Sequence, residues 1–110
     1  MRRVSSFELN QTTEGGFELI GEMSFETAAQ ILKSSERSFA QHAETQVNLS
    51  QVSKADSAGL ALLLEWIGWA NHSDVEIRFL NIPKKILAIA QTAEVDELLS
   101  GSYSSSQPTP

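Results

Sequence analysis

Cysteine is absent from this chain of 110 residues. Its absence excludes disulfides, thiolate metal sites and a cysteine nucleophile together, and it suits a reducing compartment. Histidine is nearly absent as well. Only His42 and His72 occur, each near a predicted helix end in polar surroundings, where a surface role is expected. No group of residues has metal-ligand spacing and no Gly-rich phosphate loop is present, so neither a metal nor a cofactor is expected. Positive charge is scarce, with 8 Lys and Arg against 14 Asp and Glu and a formal charge of −6. A surface of that sign repels phosphate backbones and anionic head groups, which disfavours nucleic acid and direct membrane adsorption. Long apolar runs are missing too. The longest, Leu60 to Leu64, falls far short of the ~20 residues that span a bilayer. Met1-Arg2-Arg3-Val4-Ser5 has no apolar segment behind its arginines, so no secretory signal is expected and the chain reads as soluble and cytoplasmic.

What remains fits one domain with a core of its own. Phe7-Glu8-Leu9 and Phe17-Glu18-Leu19-Ile20 alternate apolar and polar residues on either side of Glu14-Gly15-Gly16, which predicts a β-hairpin closed by Gly21. Ala28, Ile31, Leu32 and Phe39 recur at helical spacing, with Lys33, Glu36, Arg37 and Gln41 on the wet side. A helix is expected from about Thr27 to His42, capped by Ser24 or Thr27. Thr45 to Leu49 alternates and reads as a strand that gives way to polar residues. Ser57 to Ala70 reads as a helix and Val75 to Leu80 as a strand. Pro83 suits the first residue of a helix carried by Ile86, Ile89, Ala90 and Ala93, and Val95 to Leu99 suits a short last turn. The remainder, GSYSSSQPTP, is too polar to bury anything. Strands alternating with helices imply an α/β domain whose sheet is at least partly parallel.

The segment Lys54-Ala55-Asp56-Ser57-Ala58-Gly59-Leu60-Ala61-Leu62-Leu63-Leu64 leads a polar dipeptide into an apolar helix. At ~100° per residue, Leu60, Leu63, Leu64 and Ile67 form one stripe suited to a core. Ala58, Leu62, Trp66 and Trp69 fall on the opposite side with Glu65 at their margin, and they include both tryptophans of the chain. Two readings of that second side stand open. The chain covers it itself, for instance with the helix at Pro83 or the tail. Or it is a docking patch in which Leu62, Trp66 and Trp69 meet another protein, as large exposed apolar patches and tryptophan anchors usually do.

Asp56 or Ser57 can cap this helix, a role worth about 1 kcal/mol. Gly59 permits close approach of another backbone. A nucleophilic Ser57 would need a base within hydrogen-bond reach, and the G-x-S-x-G pattern is absent. Phosphorylation of Ser57 is chemically reasonable. It adds about −1.5 to −2 charge at a helix start that tolerates it, and it would expel an apolar partner docked alongside.

The run from Val47 to Leu60 resembles the signature of STAS domains: a strand, a hydrophilic loop, Asp-Ser or Asp-Thr, one residue, Gly-Leu, then a helix. The resemblance extends over about residues 7–99, and Gly21-Glu22 resembles the end of the family's second strand. Gly59-Leu60-Ala61-Leu62-Leu63-Leu64 and Ile86-Leu87-Ala88-Ile89-Ala90 are similar to the branch formed by small STAS subunits of Mla phospholipid-transport ABC complexes. The resemblance implies a mixed four-stranded sheet with packed helices, and with the composition of the C-terminus it gives a single domain over residues 1–99 and an expected disordered polar tail over 100–110. It implies a non-enzymatic accessory subunit bound to the transporter's ATPase, in a complex with its permease. Such a subunit is cytoplasmic, peripheral at the inner membrane through its partner, and serves outer-membrane lipid asymmetry. Asp56, Ser57, Ala58, Gly59, Leu62, Glu65, Trp66 and Trp69 then form the partner contact. Ser57 stands where that branch commonly has threonine, and it keeps the hydroxyl. The alternative branch is the anti-anti-sigma factors, which would make Ser57 a phosphorylation site and a serine kinase or anti-sigma factor the partner.

Overall fold

The computed structural model describes residues 7–13 and 15–103. The hairpin forms as its alternation predicts. Strand β1 (Phe7–Thr13) runs antiparallel to β2 (Gly16–Met23), with Leu9 opposite Leu19 so that both side chains face the core. Gly15 takes φ 75° at the turn, and a Cβ there would lie 2.6 Å from the Glu44 carbonyl oxygen, so the position admits only glycine. Glu14, part of the expected turn, lies outside the described residues.

Helix α1 (Ala28–Phe39), strand β3 (Glu44–Ala55), helix α2 (Ser57–His72), strand β4 (Glu76–Leu80), and helices α3 (Lys84–Thr92) and α4 (Asp96–Tyr103) follow. The strands lie in the order β1-β2-β3-β4, with β2, β3 and β4 mutually parallel. Parallel neighbours need crossover connections, which α1 and α2 supply. Every helix that follows a parallel strand therefore begins at the same end of the sheet. Leu19, Val47, Leu49 and Phe79 from the strands meet Ile31, Phe39, Leu63, Trp66, Ile86 and Leu99 from the helices in one buried core.

Several boundaries differ from the sequence-based expectation: β1 runs on past Leu9 to Thr13, α1 ends at Phe39 short of His42, and β3, β2 and α4 each run further than expected. Strand β3 does not stop at Leu49. Residues 50–55 continue it alongside β2, with Ile20 opposite Gln51 and Met23 opposite Ala55, after register shifts at Glu18/Ile20 and Gly21/Glu22. Strand β4 accompanies β3 only as far as Asn48, so the later part has one unpartnered side and its polar side chains meet water. A strand of that kind has the composition of a loop. Strand β2 likewise passes through Gly21, at φ 103°, to reach Met23. At the other end, α4 runs to Tyr103, so the expected tail loses residues 100–103 to a helix anchored by the buried Leu99. Residues 104–110 lie outside the described part.

Candidate protein-docking site

Strands β2 and β3 end side by side, and each turns into a helix there. Asp56 joins the two turns. Its backbone is extended, and its Oδ1 accepts the Ala58 N–H at 2.9 Å, which caps α2. Its Oδ2 accepts the N–H of Phe25, in the neighbouring turn, at 3.2 Å. Of the two expected caps, Asp56 is therefore the one used. Ser57 is the first residue of α2, and its side chain is exposed to solvent.

The turn carrying Phe25 is tightly closed. Thr27 Oγ1 donates to the Glu22 carbonyl and accepts from the Ser24 N–H, both at 3.0 Å. The Ala28 N–H donates to the Ser24 carbonyl at 2.8 Å, which starts α1. Thr27 is the N-cap residue of α1, yet its hydroxyl stitches the turn instead of capping the helix. Phe25 stands out from this turn at 83% exposure. Sequence reasoning passed over Phe25, because one aromatic between polar residues carries no periodic signal.

Gly59 allows the close approach expected of it, within the same chain. A Cβ there would lie 2.8 Å from the Met23 carbonyl oxygen and 2.9 Å from Ile86 Cδ1, so α2, β2 and α3 meet at this point.

The proposed docking role of Leu62 and Trp66 is corrected by the structure. Leu62 is 2% exposed and Trp66 0%. The Trp66 ring centroid lies 5.4 Å from that of Phe39 and 6.0 Å from that of Phe79, and its Nε1 donates to Ser35 Oγ at 2.7 Å. Trp69 is half-buried at the margin, 6.3 Å from the Phe39 ring. The physical reason is that α2 is the middle helix, with α1 on one flank and α3 on the other. Its buried arc runs from Leu62 through Trp66, Gly59, Ala70 and Leu63 to Leu60, about 160° at ~100° per residue. Ile67 within that arc and Leu64 beside it, both read as core, are half-buried. Of the expected contact residues, Ser57 and Glu65 are exposed, Asp56, Ala58 and Trp69 are half-buried, and Gly59, Leu62 and Trp66 are buried.

Nor does the fold give Ser57 an imidazole base. His72 ends α2, about 22 Å away at ~1.5 Å per residue. His42 precedes β3 at the opposite end of the sheet, its ring edge-on to Phe17 at 5.8 Å. A serine nucleophile needs a base within about 3 Å. Glu22, Glu26 and Asp56 lie on or beside these two turns, with Lys54 opposite Glu22 in the strand register and Lys84 and Lys85 opening α3 at the same end of the sheet.

Comparison with known proteins supplies the family. A family model described as "Mlab, STAS domain" matches residues 10–100. Similar solved structures include the anti-sigma factor antagonist SpoIIAA in its unphosphorylated form, at 19% identity over 84% of each chain with a TM-score of 0.63. Mglu is also similar, at 18% identity and a TM-score of 0.55, over 73% of this chain but 20% of that one. At such identities the likeness is one of fold. A search of curated proteins finds no match. STAS domains are protein-interaction modules, and their families are regulatory or accessory. From the mixed four-stranded sheet, the helices packed on it and the family match along most of its length, this chain belongs to the STAS-domain family of the MlaB type.

Proposed function

We propose that the chain is a non-enzymatic accessory subunit that docks on the ATPase of an ABC-type phospholipid transporter and supports its assembly and activity. The observation that carries this reading is the MlaB-type family match together with an exposed, capped start of α2. Asp56 fixes the turn, Ser57 offers a hydroxyl to a partner, and Ala61 and Gly68 continue the exposed side of α2 without bulk. A partner's backbone can approach such a surface closely. Among the described residues no helix is long and apolar enough to cross a membrane, so association with the inner membrane would pass through the ATPase and its permease.

The test is co-expression with the ATPase of an ABC-type phospholipid transporter from the same organism, followed by purification through a tag on the ATPase. The wild-type chain is expected to co-purify. Ser57→Arg is expected to abolish co-purification while keeping the wild-type melting temperature, because an exposed position tolerates arginine in the free chain. Loss of neither variant from the ATPase, or absence of both, contradicts the reading.

A second reading is supported by the exposure of Ser57 and by the fold shared with an anti-sigma factor antagonist. In it, a serine kinase phosphorylates Ser57. The added charge of about −1.5 to −2 would stand beside Asp56 and release the partner. Mass spectrometry of the chain after incubation with the cognate kinase distinguishes the two, since only this reading expects a phosphate on Ser57.

A further inference from the structure

We infer that Phe25 is the anchor of the docking surface, and that it inserts into an apolar pocket of the partner protein rimmed by lysine or arginine. The inference deepens the proposed function and rests on it for the identity of the partner. It was not legible in the sequence and depends on three structural observations.

The first is exposure on a hydrogen-bonded turn. Phe25 is the most exposed large apolar side chain among the described residues, at 83% against 55% for Leu98. Exposed aromatics on floppy loops are common and mean little. Phe25 sits on a turn held by the Thr27 hydroxyl at two points, by the Ala28 N–H and by the Asp56 carboxylate. A side chain with two rotatable bonds on a fixed backbone loses little entropy on binding, which is what makes aromatic anchors effective.

The second is continuity. The carboxylate that caps α2 also holds the Phe25 N–H, so the ring and the Ser57 hydroxyl are presented by one rigid unit. A partner reaching Ser57 meets Phe25 in the same approach.

The third is charge, which selects the occupant. The chain carries a formal charge of −6, and Glu22, Glu26 and Asp56 lie on or beside the two turns, with Lys54 opposite Glu22 in the strand register and Lys84 and Lys85 opening α3 at the same end of the sheet. Insertion of the ring into an anionic bilayer would bring these carboxylates against lipid phosphates. A second copy would bring the same carboxylates against themselves. A protein pocket with a basic rim matches both the ring and its surroundings.

The experiment uses the full-length chain and the purified transporter ATPase. Affinity is measured for wild type, Phe25→Ala and Phe25→Trp, with Leu98→Ala as the control for loss of an exposed apolar side chain. In parallel, a photo-crosslinking benzoylphenylalanine is placed at position 25 in cells. Phe25→Ala is expected to weaken binding at least about 30-fold, as loss of a central aromatic anchor does. Phe25→Trp and Leu98→Ala should stay within about threefold of wild type, and all three variants should melt as wild type does. If wild type binds the ATPase and Phe25→Ala binds equally well, the anchor is wrong and the proposed function stands. If wild type does not bind the ATPase but position 25 crosslinks to another protein, the proposed function is wrong. The anchor then stands only if Phe25→Ala weakens binding to that identified protein by the same factor. Crosslinks solely to lipid, to a second copy of the chain or to nothing overturn the anchor.

Discussion

Replacing Ser35 by alanine tests whether Trp66 belongs to the interior. Both side chains are fully buried, and Trp66 Nε1 donates to Ser35 Oγ at 2.7 Å while that hydroxyl donates to the Leu32 carbonyl at 2.9 Å. Ser35→Ala leaves an indole N–H in a dry interior with no acceptor, and an orphaned buried donor costs about 1–3 kcal/mol. Alanine returns about 0.5 kcal/mol through its better helix propensity in α1. The net loss is then about 0.5–2.5 kcal/mol, a visible fraction of a stability of about 5–15 kcal/mol. Trp66→Phe removes the donor and part of the ring, so it too destabilises. In the double variant neither polar group is left waiting for the other, and the cycle should show a coupling of about 1 kcal/mol. Urea denaturation followed by far-ultraviolet circular dichroism measures all four chains without relying on tryptophan emission. Stability of Ser35→Ala within about 0.3 kcal/mol of wild type, or full additivity in the double variant, would refute the packing of Trp66 against α1.

The two helical glycines of α2 should respond in opposite directions. A Cβ at Gly68 meets nothing within 4 Å, so Gly68→Ala should raise stability by about 0.5–1 kcal/mol in the same denaturation assay, and any loss contradicts the open space around it. Gly59→Ala places a Cβ against the Met23 carbonyl and Ile86, and should cost about 1–3 kcal/mol despite alanine's helix preference; a gain there would mean α2 does not approach β2 as described. Asp56→Ala should cost about 1 kcal/mol or more through the lost cap, with large amide shifts at both Ala58 and Phe25 in nitrogen–proton correlation spectra, whereas Asp56→Asn should retain most of the stability. A shift at Ala58 alone would show that the carboxylate does not bridge the two turns.

The order of elements was legible because the period changes cleanly along the chain: two at Phe17 and Leu19, between three and four at Ile31 and Phe39, two again at Ile77 and Phe79. The β3 extension was not legible, since Ser50 to Ala55 is paired on one side only and its composition is set by water on the other. Helix α2 shows a different limit. Its two apolar flanks were correctly seen, but a helical wheel locates apolar residues without naming the neighbour that covers them. The wheel assumed one sheet beneath one helix. Here α1 presents Ser35 and Phe39 to one flank and α3 presents Ile86 to the other, so each flank is covered in large part from within the chain. The Asp56-Ser57 turn was legible from the cap and the family-like motif around it. Its companion Phe25 was not, because the residues are 31 apart in sequence and only the pairing of Met23 with Ala55 brings their turns together.

Hydrogen–deuterium exchange of the chain, alone and saturated with the transporter ATPase, tests the docking surface most directly. Added protection is expected in peptides covering residues 24–27 and 54–61. Protection confined to the free edge of β1 or to α4, with residues 24–27 and 54–61 unaffected, would contradict it.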